Sequence, residues 1–209
     1  MQLPKVVIVG GGGHAKVIID ILQNTQQYEV IGYTSPDEGG KSLLGVPYLG
    51  DDSILPFQLQ NDEHYFFVAV GDNKLRKKLF EKLIAGGFNT INAISLSAHI
   101  SSHATIGQGV VIMPGAVVNA SAVIGDNVII NTLAGVDHDC QINSHSHIAP
   151  GVSISGGVTI GTGSFIGTGT CVIPEVSIGD WVVIGAGSAV VNNIQSNAKV
   201  VGVPAKKYI

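Results

Sequence analysis

The chain has 209 residues, a formal net charge of −4 and 28 glycines, and is 45% hydrophobic but only 6% aromatic. Its acidic balance argues against general nucleic-acid binding, and no uninterrupted apolar run reaches the roughly 18 residues of a membrane-spanning helix. The two cysteines, Cys140 and Cys171, form no CxxC pair, so neither a redox motif nor a zinc cage is signalled and no metal is expected. Without a signal-peptide layout at the start of the chain, a cytoplasmic location is expected.

The apolar run Val6–Val9 reads as a buried strand ending in Gly10-Gly11-Gly12-Gly13-His14. Ala15 to Asn24 then places Val17, Ile18, Ile21 and Leu22 on one helical face. A strand, a glycine-rich turn and a helix start together present free N–H groups and a helix dipole to a phosphate. Gly10, Gly12 and Ala15 fit GxGxxA. A dinucleotide site expects an acid at the end of the second strand, but Glu29–Tyr33 leads into Thr34-Ser35, with Asp37 slightly beyond. A redox dinucleotide is therefore not expected.

A second strand, turn and helix follow from Tyr65 through Gly71-Asp72-Asn73. Leu75, Leu79 and Leu83 repeat at i, i+4, i+8, Gly86-Gly87 ends the helix, and Asn73 is the expected N-cap. Arg76, in the first turn, opposes the helix dipole. It is either a phosphate contact or a solvated surface charge. Ile91–Ile94 reads as the last strand, giving a small Rossmann-like domain over 1–93 and a second domain over 94–209.

From Ile100 to Val190 every sixth residue is Ile or Val, sixteen in succession, and Ser196 breaks the series. Two residues before each stands a residue no larger than Val, from Ala98 to Ser188. Gly or Asn often follows the aliphatic. Period six fits a short strand and a corner, three of which make an 18-residue coil of a parallel β-helix. Stacked coils are about 4.8 Å apart.

Between Lys82 and Lys199 there is no Lys or Arg. Within that stretch, Asp137-His138-Asp139-Cys140 joins an imidazole to two carboxylates, and His145 and His147 follow. A reaction in which a nucleophile loses a proton as it attacks needs a base with a pKa near working pH, which suits histidine. The alternatives are that His138 is a plain corner residue, that His145 and His147 form an H-x-H metal pair, and that Asp137 is a solubilising charge, the reading preferred for it. Cys140 falls in the inward register, which disfavours it as a nucleophile. His138 and His147 lie half a coil apart, so they meet only if neighbouring subunits abut. From His138 to Asn192 is three coils, roughly 14 Å, and Lys199, Lys206 and Lys207 are the cations at that end.

The repeat resembles the hexapeptide-repeat acyltransferases, whose β-helices are left-handed and usually trimeric. Gly10–His14, Phe67–Arg76, His138–His147 and Gly202–Lys206 together resemble the bacterial acetyltransferases of UDP-4-amino-sugars in bacillosamine and related pathways, grouped with the sialic acid O-acetyltransferases. That resemblance implies His138 as catalytic base and Asp139, where the family more often has Glu, as the acid raising its basicity. It implies His147, Thr168 and Ala186 as acetyl-CoA contacts, and a pantetheine arm covering the three-coil span would bring the CoA phosphates to Lys199, Lys206 and Lys207. Gly12, Gly13 and His14 match the sugar-nucleotide loop, joined by Thr34, Gly71, Asn73 and Arg76. Relatives carry an acidic pair where this chain has Tyr33-Thr34. The implied function is N-acetylation of a UDP-linked 4-amino-sugar by a homotrimer, in a ternary complex with acetyl-CoA. The alternatives are a sialic acid O-acetyltransferase and a non-enzymatic, sugar-nucleotide-binding trimeric scaffold.

Overall fold

The computed structural model describes residues 3–36, 42–55 and 64–207, and the chain divides into two units, Met1–Leu96 and Ser97–Ile209. Asp37 lies outside the described residues. No described helix is long and apolar enough to cross a membrane.

The first unit is an α/β sheet. Its strands are β1 (Lys5–Val9), β2 (Glu29–Thr34), β3 (Ser42–Leu43), β4 (Val46–Gly50), β5 (His64–Val68) and β6 (Asn89–Thr90), in the order β3-β4-β2-β1-β5-β6. Val6 to Val9 are fully buried, as befits a central parallel strand covered on both faces. Helix α1 (Gly13–Thr25) buries Ala15, Ile18, Ile19, Ile21 and Leu22. Phe66, Val68, Phe80 and Leu83 pack with Val7 and Val9 in one apolar cluster. The strand order reverses direction between β1 and β5, and such a reversal opens a ligand crevice at the carboxyl ends of those strands. The ends in question are Gly10–Gly13 and Ala69–Asn73.

Helix α2 (Asn73–Ala85) departs from the sequence expectation in two ways. Its N-cap is Asp72, not Asn73: Asp72 has extended backbone and its carboxylate accepts from the Leu75 N–H at 2.8 Å. Its buried face is Asn73, Arg76, Phe80 and Leu83, while Leu75 is 47% exposed. The helix is rotated toward Arg76, whose guanidinium reaches backbone carbonyls under the crevice. The last strand of this sheet is β6, so Ala93–Ile94 is not a member of it.

The second unit is a left-handed parallel β-helix of two-residue strands. Face one carries His99–Ile100, Val117–Val118, Gly135–Val136, Ser153–Ile154, Cys171–Val172 and Ala189–Val190. Face two runs from Thr105–Ile106 to Ser177–Ile178, and face three from Val111–Ile112 through His147–Ile148, Phe165–Ile166 and Val183–Ile184 to Lys199–Val201. Partners are eighteen residues apart, as in Val117 with Gly135. From Ile112 onward the sixfold aliphatics are all buried, and so is the small-residue register from Val110 to Ser188.

The corner itself falls three residues after each aliphatic. From Gly109 to Gly187, every sixth residue has left-handed backbone, fourteen in succession and seven of them not glycine. The left-handed residue thus stands two positions after the residue, often Gly or Asn, that follows each aliphatic and directly before the next buried small residue. The last coil is two residues short: Ile178 bridges Ile194, and Val183 and Ile184 pair with Lys199 and Val200. This shortening is why the strict count stops at Val190 although one more aliphatic layer follows.

Candidate active site

The Asp137–Cys140 segment forms the corner between faces one and two. His138 Nδ1 lies 2.7 Å from Asp139 Oδ2, and the two side chains are 63% and 65% exposed. With the carboxylate accepting from Nδ1–H, Nε2 carries the lone pair and is the ring atom that can accept a proton. The hydrogen bond to Asp139, followed by the charge of Asp137, raises the His138 pKa above the ordinary histidine value, and Glu175 adds to the rise. Asp137 does more than solubilise the corner. Its carboxylate accepts from Asn119 Nδ2 at 2.9 Å in the coil before and from the His138 N–H at 2.8 Å, and these bonds lower its own pKa.

The coil after His138 supplies its seat. A Cβ on Gly156 would lie 2.5 Å from His138 Cε1, so only glycine lets the ring settle there. The neighbouring Gly157 donates its N–H to the His138 carbonyl at 3.0 Å, and the Glu175 carboxylate folds against its other side. Sequence reasoning passed over Gly156 and Glu175, although counting eighteen forward from His138 and Gly157 reaches both. Cys140 is buried; its thiol donates to the Ser155 carbonyl at 3.1 Å and burial raises its pKa, so it is held away from nucleophilic chemistry.

The four residues expected at acetyl-CoA occupy a different edge. His147 lies on face three, 9% exposed, with Nε2 3.0 Å from Asn131 Nδ2 and its ring edge-on to Phe165 at 5.1 Å. One coil further on, Thr168 stands exposed at the corner from face three to face one, and Ala186 is exposed at the same corner one coil beyond, where Gly187 donates to the Thr168 carbonyl at 2.8 Å. Lys206 follows at the end, paired with Val201 in a short antiparallel turn-back. These residues climb one edge in successive coils, and His138 is on another corner of the same protomer. His145 is buried at a third corner against Asn127, 2.9 Å from Nδ1 to Nδ2, separate from the strand that carries His147. No group of three or more His, Cys, Asp or Glu suited to a metal occurs among the described residues.

In the α/β unit, Gly12 and Gly13 stand exposed at the start of α1, with open space where a Cβ would point. Burial, and then the Arg76 cation, push the His14 pKa down to about 4, so its imidazole is neutral at physiological pH. Arg76 is 1% exposed, which rules out a solvated surface charge. Its Nη1 donates to the Val70 and Gly71 carbonyls at 3.3 and 3.1 Å, holding the loop at the end of β5, and burial lowers its pKa to about 10. Asn73 is buried at the head of α2 and Gly71 is exposed. Thr34 is fully buried; its carbonyl accepts from the Gly10 N–H at 2.9 Å and its hydroxyl donates to Asp52 Oδ1 at 2.7 Å.

A hexapeptide β-helix with an exposed imidazole–carboxylate pair at a corner, preceded by an α/β unit with a glycine turn, defines a hexapeptide-repeat transferase. Residues 5–83 match the family described as PglD N-terminal domain, and residues 103–138 and 121–156 match the bacterial transferase hexapeptide (six repeats). The chain is similar to a histidine-to-asparagine variant of perosamine N-acetyltransferase from Caulobacter crescentus, solved with CoA and GDP-perosamine: 42% identity over 98% of this chain and 96% of that one, TM-score 0.93. It is similar too to the acetyltransferase domain of PglB from Neisseria gonorrhoeae FA1090 in complex with acetyl coenzyme A, at 37% identity over 99% and 100% of the two chains, TM-score 0.94. With UDP-N-acetylbacillosamine N-acetyltransferase of Bacillus subtilis (strain 168) it shares 38% identity over 115 residues, 53% of this chain and 52% of that protein, so the match spans about half of that relative. The chain belongs to the family of sugar N-acetyltransferases that join a PglD-type N-terminal domain to a hexapeptide β-helix.

Proposed function

We propose that the protein transfers the acetyl group of acetyl-CoA to the 4-amino group of a UDP-linked amino-deoxy sugar, as a homotrimer and in a ternary complex. The observation that carries the reading is the 2.7 Å contact between His138 and Asp139 at an exposed corner. His138 Nε2 takes a proton as the amine nitrogen attacks the thioester carbonyl; the new C–N bond forms, the C–S bond breaks, and the proton leaves with the CoA thiolate. Backbone N–H groups stabilise the tetrahedral oxyanion. The edge from His147 past Thr168 and Ala186 supports a pantetheine arm: Lys199 is three coils from His147 on one face, about 14 Å at the usual strand spacing. Because His138 occupies a different corner from that edge, the reading pairs the base of one protomer with the edge of its neighbour. In the α/β unit, Gly12, Gly13 and His14 are assigned to the sugar-nucleotide phosphates.

The named relatives act on, or are solved with, both UDP- and GDP-linked sugars, and the second of these favours a GDP-linked acceptor as the competing reading. A panel of UDP- and GDP-linked 4-amino-sugars, with a sialic acid as the hydroxyl acceptor, tests both by thiol release from acetyl-CoA. Turnover of an amino-sugar nucleotide is expected, with a fall of at least about 10²-fold in H138N. Full activity in purified H138N, or turnover of the sialic acid alone, removes the proposal.

A further inference from the structure

We propose that Asp52 supplies the carboxylate that grips the ribose of the nucleotide bound in the α/β unit. The inference rests on the nucleotide-binding reading above and names a residue for it. In a doubly wound sheet, the phosphate sits at the glycine turn after the first strand, and an acid at the end of the second strand accepts hydrogen bonds from the ribose hydroxyls. Here the second strand ends in Thr34, a neutral residue.

The neighbouring strand supplies the missing charge. Thr34 is in register with Gly50 at the end of β4, and Asp52 follows two residues later. The buried Thr34 hydroxyl donates to Asp52 Oδ1 at 2.7 Å, while the Thr34 carbonyl accepts from Gly10 at the head of the glycine turn. Thr34 thus ties the carboxylate to the strand end that borders the turn. The hydroxyl occupies one acceptor position of a group that offers about four, and Asp52 is half-buried, neither sealed in nor fully solvated. The turn packs directly against this strand end: a Cβ on Gly11 would stand 3.0 Å from both the Tyr33 ring and Ser35. The loop after β2 is itself held, because the Tyr48 hydroxyl donates to the Ser35 carbonyl at 3.0 Å. Asp51 is committed elsewhere, accepting from the Ser53 N–H at 2.7 Å. Of the two adjacent acids, Asp52 is the one oriented by the second strand.

Calorimetric titration with UDP and GDP, and with their 2′-deoxy and 3′-deoxy counterparts, reads this without any turnover. The wild type is expected to bind one ribonucleoside diphosphate about tenfold more tightly than at least one of its deoxy counterparts. In D52N that preference should shrink to less than about twofold, the ribonucleotide being the ligand that weakens. T34V, which keeps the acid and removes its tether, should weaken the preference in part, and T34S should restore it; thermal melts of all three variants check that the fold is kept. A preference unchanged in D52N, or absent from the wild type, overturns the role of Asp52 and leaves nucleotide binding standing. Failure of the wild type to bind either diphosphate overturns both.

Discussion

In the proposed mechanism His138 acts as a base only when neutral, so the groups that raise its pKa would also set the pH at which activity appears. The hydrogen bond that Nδ1–H donates to Asp139 is the first of these, with the charge of Asp137 behind it. The acid limb of kcat/KM should therefore lie above the ordinary histidine value of about 6.5. In D139N, where the amide oxygen still accepts from Nδ1–H but the charge is gone, the limb should move down and the plateau should fall about tenfold or more; pH profiles of the two proteins decide it, and an unmoved limb refutes the pairing. His14 behaves in the opposite way. Its folded pKa of about 4 lies below the unfolded value of 6.5, so the unfolded chain binds more protons between those values. Stability is then intact above about pH 6.5 and is lost as pH falls toward 4, by at most about 3 kcal/mol. Urea unfolding at pH 7 and pH 4 should show that loss in the wild type and much less of it in H14N.

At the level of the coil, the corners carry the strain and the inward aliphatics carry the cohesion. Gly163 and Gly169 have nearly the same backbone, φ +69 and +68, but a Cβ at Gly163 would meet the Trp181 ring at 2.5 Å, whereas at Gly169 nothing lies within 4 Å. Gly169→Ala should cost only the left-handed backbone penalty, about 1–2 kcal/mol. Gly163→Ala should cost clearly more, because the indole must move as well; equal losses in denaturant titrations would dismiss that contact. The same contrast explains what could be read in advance. Sixfold Ile and Val announced the coils because their burial has one chemical solution, and Cys140 was placed inside by register alone. The corner conformation escaped notice because Leu133, Asp139, His145 and Trp181 adopt it as well as glycine, leaving no compositional mark. In the α/β unit, the glycine turn was readable. Of the apolar stripe Leu75-Leu79-Leu83, Leu83 is buried and Leu79 packs against the core, whereas Leu75 is exposed and the buried Arg76 takes an inward place that hydrophobic periodicity assigns to leucine.

For the whole assembly, the decisive test is whether the two edges of the β-helix serve one site or none. Within a protomer His138 and His147 project from separate sides, so the proposed trimer must build each site from two chains. H138N and H147A, each inactive alone, should regain activity when unfolded together in equal amounts and reassembled. Random mixing gives about a quarter of the sites both intact histidines, since each is present with even odds. No recovery, or a monomer by sedimentation, ends the shared-site reading. Much of this was visible from counting residues along the chain. The pairing of Thr34 with Asp52 was not, because eighteen positions and two strands separate them and only the sheet order joins them.

The fixed circuit of eighteen residues also constrains how the gene can change. One codon added inside a strand would swing every later side chain around the axis, carrying His147 and Thr168 off their edge together. Insertions are tolerable only as loops thrown outward at a corner, or as complete extra turns of the spiral. The truncated final circuit obeys this arithmetic: its two missing residues come after Ala186, so the azimuth of every earlier group is untouched.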